Sequence, residues 1–73
     1  MGERGTARKR FGEAVRTERQ RQGLSLEALA DRIHTNWSWL GGVERGQRNP
    51  TLDSMEAVAQ ALGVPLSSLL QEQ

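Results

Sequence analysis

Between Leu24 and Pro50, two short segments of helical apolar periodicity follow each other across a break of only three residues. The first reads L-S-L-E-A-L-A-D-R-I, and the second begins at Trp37 as W-S-W-L-G-G-V-E-R-G-Q-R-N-P. A connection that short leaves two helices no room to run independently, so they must cross and share one core. With 73 residues in all, the chain makes one domain that buries only about 60% of its unfolded surface. Every core position therefore carries weight.

Composition removes several classes of function. There is no cysteine, hence no disulfide framework and no thiolate metal site, and the single histidine, His34, cannot hold a metal alone. Neither a metal nor another cofactor is expected. One histidine and no cysteine also offer no convincing pair of nucleophile and base, so the chain does not read as an enzyme. No apolar run approaches the roughly 18 residues of a membrane span, and charged residues at the N-terminus lead into no apolar stretch. The expectation is a soluble, cytoplasmic protein.

Charge is unevenly distributed behind a net value of +1. Residues 1–23 carry seven basic side chains against three acidic ones, residues 24–50 balance, and residues 51–73 hold three acids and no base. A basic N-terminal third suits a protein that turns one side toward a polyanion.

Glycines and capping residues mark the helix limits. Gly23, Gly46 and Gly63 each follow an apolar-periodic stretch, where a left-handed residue closes a helix. Ser25, Asn36 and Thr51 stand where N-caps are wanted; Asp53 falls in the first turn after Thr51, and Leu24 can staple to Leu29. The pattern predicts an all-α, compact five-helix bundle with helices near 9–22, 26–33, 37–45, 52–62 and 66–71. Residues 1–7 read as a mobile arm ahead of a single domain over 8–73.

Spacing assigns the core to Phe11 and Val15; to Leu26, Leu29, Ala30 and Ile33; to Leu40 and Val43; to Leu52, Met55, Val58, Ala59 and Leu62; and to Leu66, Leu69 and Leu70. Two charges fall on these inward stripes: Arg19, four after Val15, and Glu44, four after Leu40. They are expected to form an ion pair tying the first helix to the third.

If Leu40 and Val43 point inward, Trp37, Ser38, Gly41, Gly42 and Arg45 turn outward. Paired glycines weaken a helix by about 1 kcal/mol each, so the bare backbone suggests close approach of another surface, of which the major groove of DNA is one. For Trp37 three roles fit: contact with base methyls and sugars, contact with a protein partner, or folding onto local apolar surface. Trp39, four before Val43, reads as a structural wedge. Ser25 with the first amides of its helix can bind one phosphate, and Arg45, Gln47, Arg48 and Asn49 another. Arg8, Lys9 and Arg10 are placed to reach a third.

Taken together, V-R-x-x-R (Val15, Arg16, Arg19), G-L-S (Gly23 to Ser25), L-A (Leu29, Ala30), V-E-R-G-x-R-N-P (Val43 to Pro50) and the closing A-x-A-L-G-V-P-L-S-S-L-L resemble the Xre-type, phage-repressor-like helix-turn-helix family. The segment around residues 40–50 is similar to its restriction–modification controller proteins. The resemblance spans Phe11 to Leu70. It implies a five-helix DNA-binding fold that works as a homodimer on palindromic operators, with the third helix as recognition helix.

By the same resemblance Asn36, Trp37, Ser38 and Gly42 match base-facing positions, and Ser25 and Leu26 match those approaching the DNA backbone. The chain departs from the family where Leu26 replaces a frequent glutamine and His34 a frequent glycine. Trp37 and Gly42 supply no bidentate donor set, which points to modest specificity or to readout of DNA shape. Leu66, Leu69 and Leu70 are the apolar surface available for dimerisation. The expected function is sequence-specific transcriptional regulation; the alternative is a protein-interaction module in which the Trp37, Gly41 and Gly42 face grips a partner regulator or toxin.

Overall fold

A computed structural model of the protein describes residues 6–71. Five helices follow in order: α1 (Thr6–Arg21), α2 (Leu26–Arg32), α3 (Trp37–Glu44), α4 (Leu52–Leu62) and α5 (Leu66–Leu70). No strand occurs among the described residues. Helix α1 begins ahead of its expected start, so Thr6 and Ala7 are helical rather than part of an arm. The run Ala7-Arg8-Lys9-Arg10 consists of strong helix formers, and nothing in it stops the helix. Residues 1–5 lie outside the described residues.

The helix limits follow from local chemistry. The N–H groups of Ala28, Trp39 and Ser54 donate to the side-chain oxygens of Ser25, Asn36 and Thr51 at 3.0, 2.7 and 3.0 Å, capping α2, α3 and α4. At the far ends, α1, α3 and α4 close on Gly23, Gly46 and Gly63, all left-handed. Helix α2 closes the same way on His34, at φ 56°. There the Thr35 N–H reaches the Ala30 carbonyl at 3.0 Å and the His34 N–H reaches that of Asp31 at 3.2 Å, the double closure of a Schellman end. Its cost is a side chain in the left-handed region, which histidine bears better than most residues. This turn makes the α2–α3 connection tight.

Phe11, Val15, Leu29, Ala30, Leu40, Val43, Val58, Ala59, Leu62 and Leu69 form one buried core, with Leu26, Ile33, Trp39, Met55 and Leu66 packed at its margin. Leu52 corrects the expected core, being 63% exposed. It occupies the first position of α4, ahead of Met55, where the helix first meets the core. Side chains also tie the C-terminal end of α4 to its neighbours: Gln22 donates to the Leu62 carbonyl at 2.6 Å and Arg32 to that of Ala61 at 3.1 Å.

Arg19 and Glu44 meet as a two-pronged pair. The Nε–H donates to Oε2 at 2.7 Å and the Nη2 group to Oε1 at 2.9 Å. A third bond, from Nη1 to the Leu24 carbonyl at 2.9 Å, adds the turn before α2. One guanidinium thus holds α1, the α1–α2 turn and α3 together. Glu44's hydrogen bond holds the Arg19 pKa above its usual value, against the opposing effect of burial.

Gly12 is a structural residue the sequence reading missed. A methyl group there would stand 2.6 Å from the Glu44 carbonyl oxygen and collide with that of Val43. The bare α-carbon lets α1 cross directly over the last turn of α3.

Candidate nucleic-acid interface

The exposed beginning of α3 is the natural starting point. Asn36 spends its Oδ1 on the cap, while Trp37 follows in the first helical position, 57% exposed, with Ser38 exposed beside it. A tryptophan held in water at the free end of a helix is poised to cover apolar surface on something else. Trp39 is half-buried and packs on the core, the wedge its spacing suggests. Ser38, Trp37 and the Asn36 amide N–H₂ leave this turn with donors and an aromatic face but no long polar side chain.

Gly41 and Gly42 are buried, which corrects the expectation that they form bare outward backbone. The reason is local. Side chains of the same molecule lie over them: Arg45 Nη1 and Leu26 Cδ2 would stand 3.1 and 3.3 Å from a methyl group at position 41. Over position 42 runs the stem of Arg48, with Cγ at 2.7 Å from the same imagined group. The bareness of the helix is taken up inside the protein.

Leu26, expected to approach the DNA backbone, is partly buried: its side chain packs against the core and over Gly41. This packing sets the beginning of α2 alongside the middle of α3. Ser25, at that beginning, is exposed; its Oγ accepts from the Ala28 N–H at 3.0 Å, which leaves its hydroxyl hydrogen to donate elsewhere.

At the other end of α3, Arg45, Gln47, Arg48 and Asn49 are all exposed, and Arg45 Nε–H donates to Gln47 Oε1 at 3.1 Å. Here α1 joins in a way that spacing could not show. Gly46, at φ +75°, lies against Lys9, whose Cγ and Cα would be 2.7 and 3.2 Å from a methyl group on the glycine. Lys9 therefore lies against the turn that separates Arg45 from Arg48. Arg10 departs from the expected trio, since it lines the groove between α1 and α5 with Glu13, Ser68 and Leu69.

The expected dimer surface also divides. Leu69 is 3% exposed and belongs to the core, Leu66 is packed at the core margin, and Leu70 alone is well exposed, at 43%. A five-residue helix must bury one flank on its own domain, and that flank is Leu66 and Leu69. Among the described residues no group of histidine, cysteine, aspartate and glutamate could hold a metal ion, and no helix is long and apolar enough to cross a membrane.

Comparison with known proteins agrees with this fold. A family model described as a helix-turn-helix domain matches residues 10–71. The immunity repressor protein of Bacillus phage phi105 is 34% identical over 62 residues, which cover 85% of this chain and 43% of the repressor. The chain spans about half the length of several curated relatives that it matches. Among solved structures, the restriction–modification controller protein C.AhdI from Aeromonas hydrophila superposes with a TM-score of 0.82 at 40% identity, covering 85% of this chain and 94% of the controller. The DNA-binding domain of BldD from S. venezulae superposes with a TM-score of 0.79 at 31% identity, over 89% of this chain and 97% of that domain.

Proposed function

The chain belongs to the Xre-like helix-turn-helix family, and from that premise we propose that it is a sequence-specific DNA-binding regulator of transcription. Helix α3 enters the major groove by its N-terminal turn, with Trp37 and Ser38 against base edges and the Asn36 amide N–H₂ as a further donor. The observation that carries this reading is that Ser25 and Trp37 stand exposed at the starts of α2 and α3, Arg45 and Arg48 stand exposed where α3 ends, and Lys9 packs on Gly46 between those arginines. Donors at the start of α2 and the cations Lys9, Arg45 and Arg48 border the reading turn in this proposal, the donor set that phosphates along a groove require. The proteins it resembles include a phage immunity repressor and a protein described as a DNA-binding domain, which supports the same conclusion.

The protein acts as a homodimer on a palindromic operator, with half-sites about 34–36 Å apart, one turn of the duplex. Leu70, on the outer flank of α5, is the apolar residue available to a two-fold contact. Specificity comes from apolar contact by Trp37 and from duplex shape more than from bidentate hydrogen bonds.

Selection of bound sequences from a random pool of duplex DNA tests the reading. The expected outcome is an enriched palindrome with half-site centres about 10–10.5 base pairs apart. Absence of any enrichment at low salt would overturn it.

A further inference from the structure

The middle of α3 offers no side chain of its own at positions 41 and 42, yet the two glycines are occupied differently. Over Gly42 lies the whole stem of Arg48: a methyl group at 42 would stand 2.7 Å from Cγ, 3.2 Å from Nε and 3.5 Å from Cδ. The backbone reinforces the contact, because the Gln47 N–H donates to the Gly42 carbonyl at 2.8 Å, and Arg48 is the next residue. Over Gly41 the nearest atoms are the tip of Arg45 at 3.1 Å and a Leu26 methyl at 3.3 Å. Both can give way by a few tenths of an ångström. A Cγ beside the backbone cannot, so a side chain at 42 must evict the arginine stem.

From this we propose that Gly42 is a positioning residue for Arg48: its missing side chain is a seat that lays the arginine flat along α3 and aims the guanidinium at the bound DNA. The inference rests on the DNA-binding reading above and reassigns Gly42 from facing bases to acting through Arg48. The physical gain is preorganisation. A free arginine loses most of its rotamer freedom when it engages a phosphate, whereas a seated one has lost part of it already. Direct approach of DNA to the Gly42 backbone is a poorer account, since that backbone is buried under the stem in the free protein.

The test is a double-mutant cycle on DNA affinity, with Gly41→Ala as the contrast. Gly42→Ala is expected to weaken binding about three- to tenfold, the range that ordering one rotamer-rich side chain implies, and to add nothing in an Arg48→Ala background. Gly41→Ala should leave affinity within about twofold. Both alanines favour the helix, so neither thermal midpoint should fall. In the free protein, the ¹⁵N–¹H relaxation of Arg48 Nε–H should show a restrained group in the parent and a freely reorienting one in Gly42→Ala. Equal losses from Gly42→Ala with and without Arg48, or an Arg48 Nε–H equally mobile in both proteins, would overturn the seat. Should the parent itself bind no DNA, the DNA reading fails separately, and the relaxation measurement alone decides whether the seat exists.

Discussion

Glu44 ends α3 in a position where a carboxylate has little access to water, and it remains there because one arginine satisfies both of its oxygens. Arg19 also bonds a backbone carbonyl, so removing Glu44 leaves a half-buried guanidinium with one partner in place of two residues' worth. Glu44→Ala should therefore cost roughly 3 kcal/mol, read as a fall in thermal midpoint of about 12–24 °C in a domain of this size. A loss below about 0.5 kcal/mol, the level of a surface site, would contradict the role. Because the folded-state pKa of Arg19 is raised, its stabilisation is complete below the unfolded value and is lost only as pH climbs through the folded one. That window is far alkaline, so Arg19 does not switch across neutrality. The half-buried Glu18, bonded by Arg21 and then Gln22, has its pKa lowered instead. Its contribution is present above the ordinary carboxylate range and is lost as pH falls through the lowered value.

At the scale of elements, the legible features were those written in local chemistry. Ser25, Asn36 and Thr51 cap the helices they precede, and Gly23, Gly46 and Gly63 close the helices they follow. The pairing of Arg19 with Glu44 was also readable, because helical spacing put both on inward stripes. Contacts between backbones were not. Gly12 lies inside a run of good helix formers, and nothing in the one-dimensional pattern says that α3 passes over it. Likewise the Gly41–Gly42 pair signals a close approach, but its sequence does not name what approaches. The structure supplies Leu26, Arg45 and Arg48. Gly12 gives a sharp test because two effects oppose each other: alanine in an open helix gains about 1 kcal/mol over glycine, whereas forcing a methyl into packed backbone costs typically 1–3 kcal/mol or more. With the Glu44 carbonyl 2.6 Å away from that methyl, the second effect wins. Gly12→Ala should lower stability to urea by about 2 kcal/mol, and a neutral or stabilising result would show that α1 and α3 can separate without penalty.

For the whole molecule, the charge asymmetry acquires a location. The basic N-terminal third is not a detached arm over Thr6–Arg21; α1 brings Lys9 against Gly46, so that a cation of α1 lies at the turn that ends α3. Acidic residues Asp53 and Glu56 stand on α4 instead. Among the described residues Leu70 and Leu52 are the large aliphatic side chains that stand exposed, and only the former lies on α5, the helix proposed to carry the two-fold contact. The central claim is that the cations around the turn that ends α3 and the start of α2 bind phosphates along a groove read by Trp37. The slope of log K against log salt, measured for the selected duplex by fluorescence anisotropy, tests it most directly. Three cations per protomer, six in the proposed dimer, predict a slope near −5 at about 0.9 per neutralised phosphate, and an affinity about 10³-fold lower at 200 mM than at 50 mM salt. Binding that persists with a slope near zero would mean an apolar contact unrelated to phosphates, and would contradict the account.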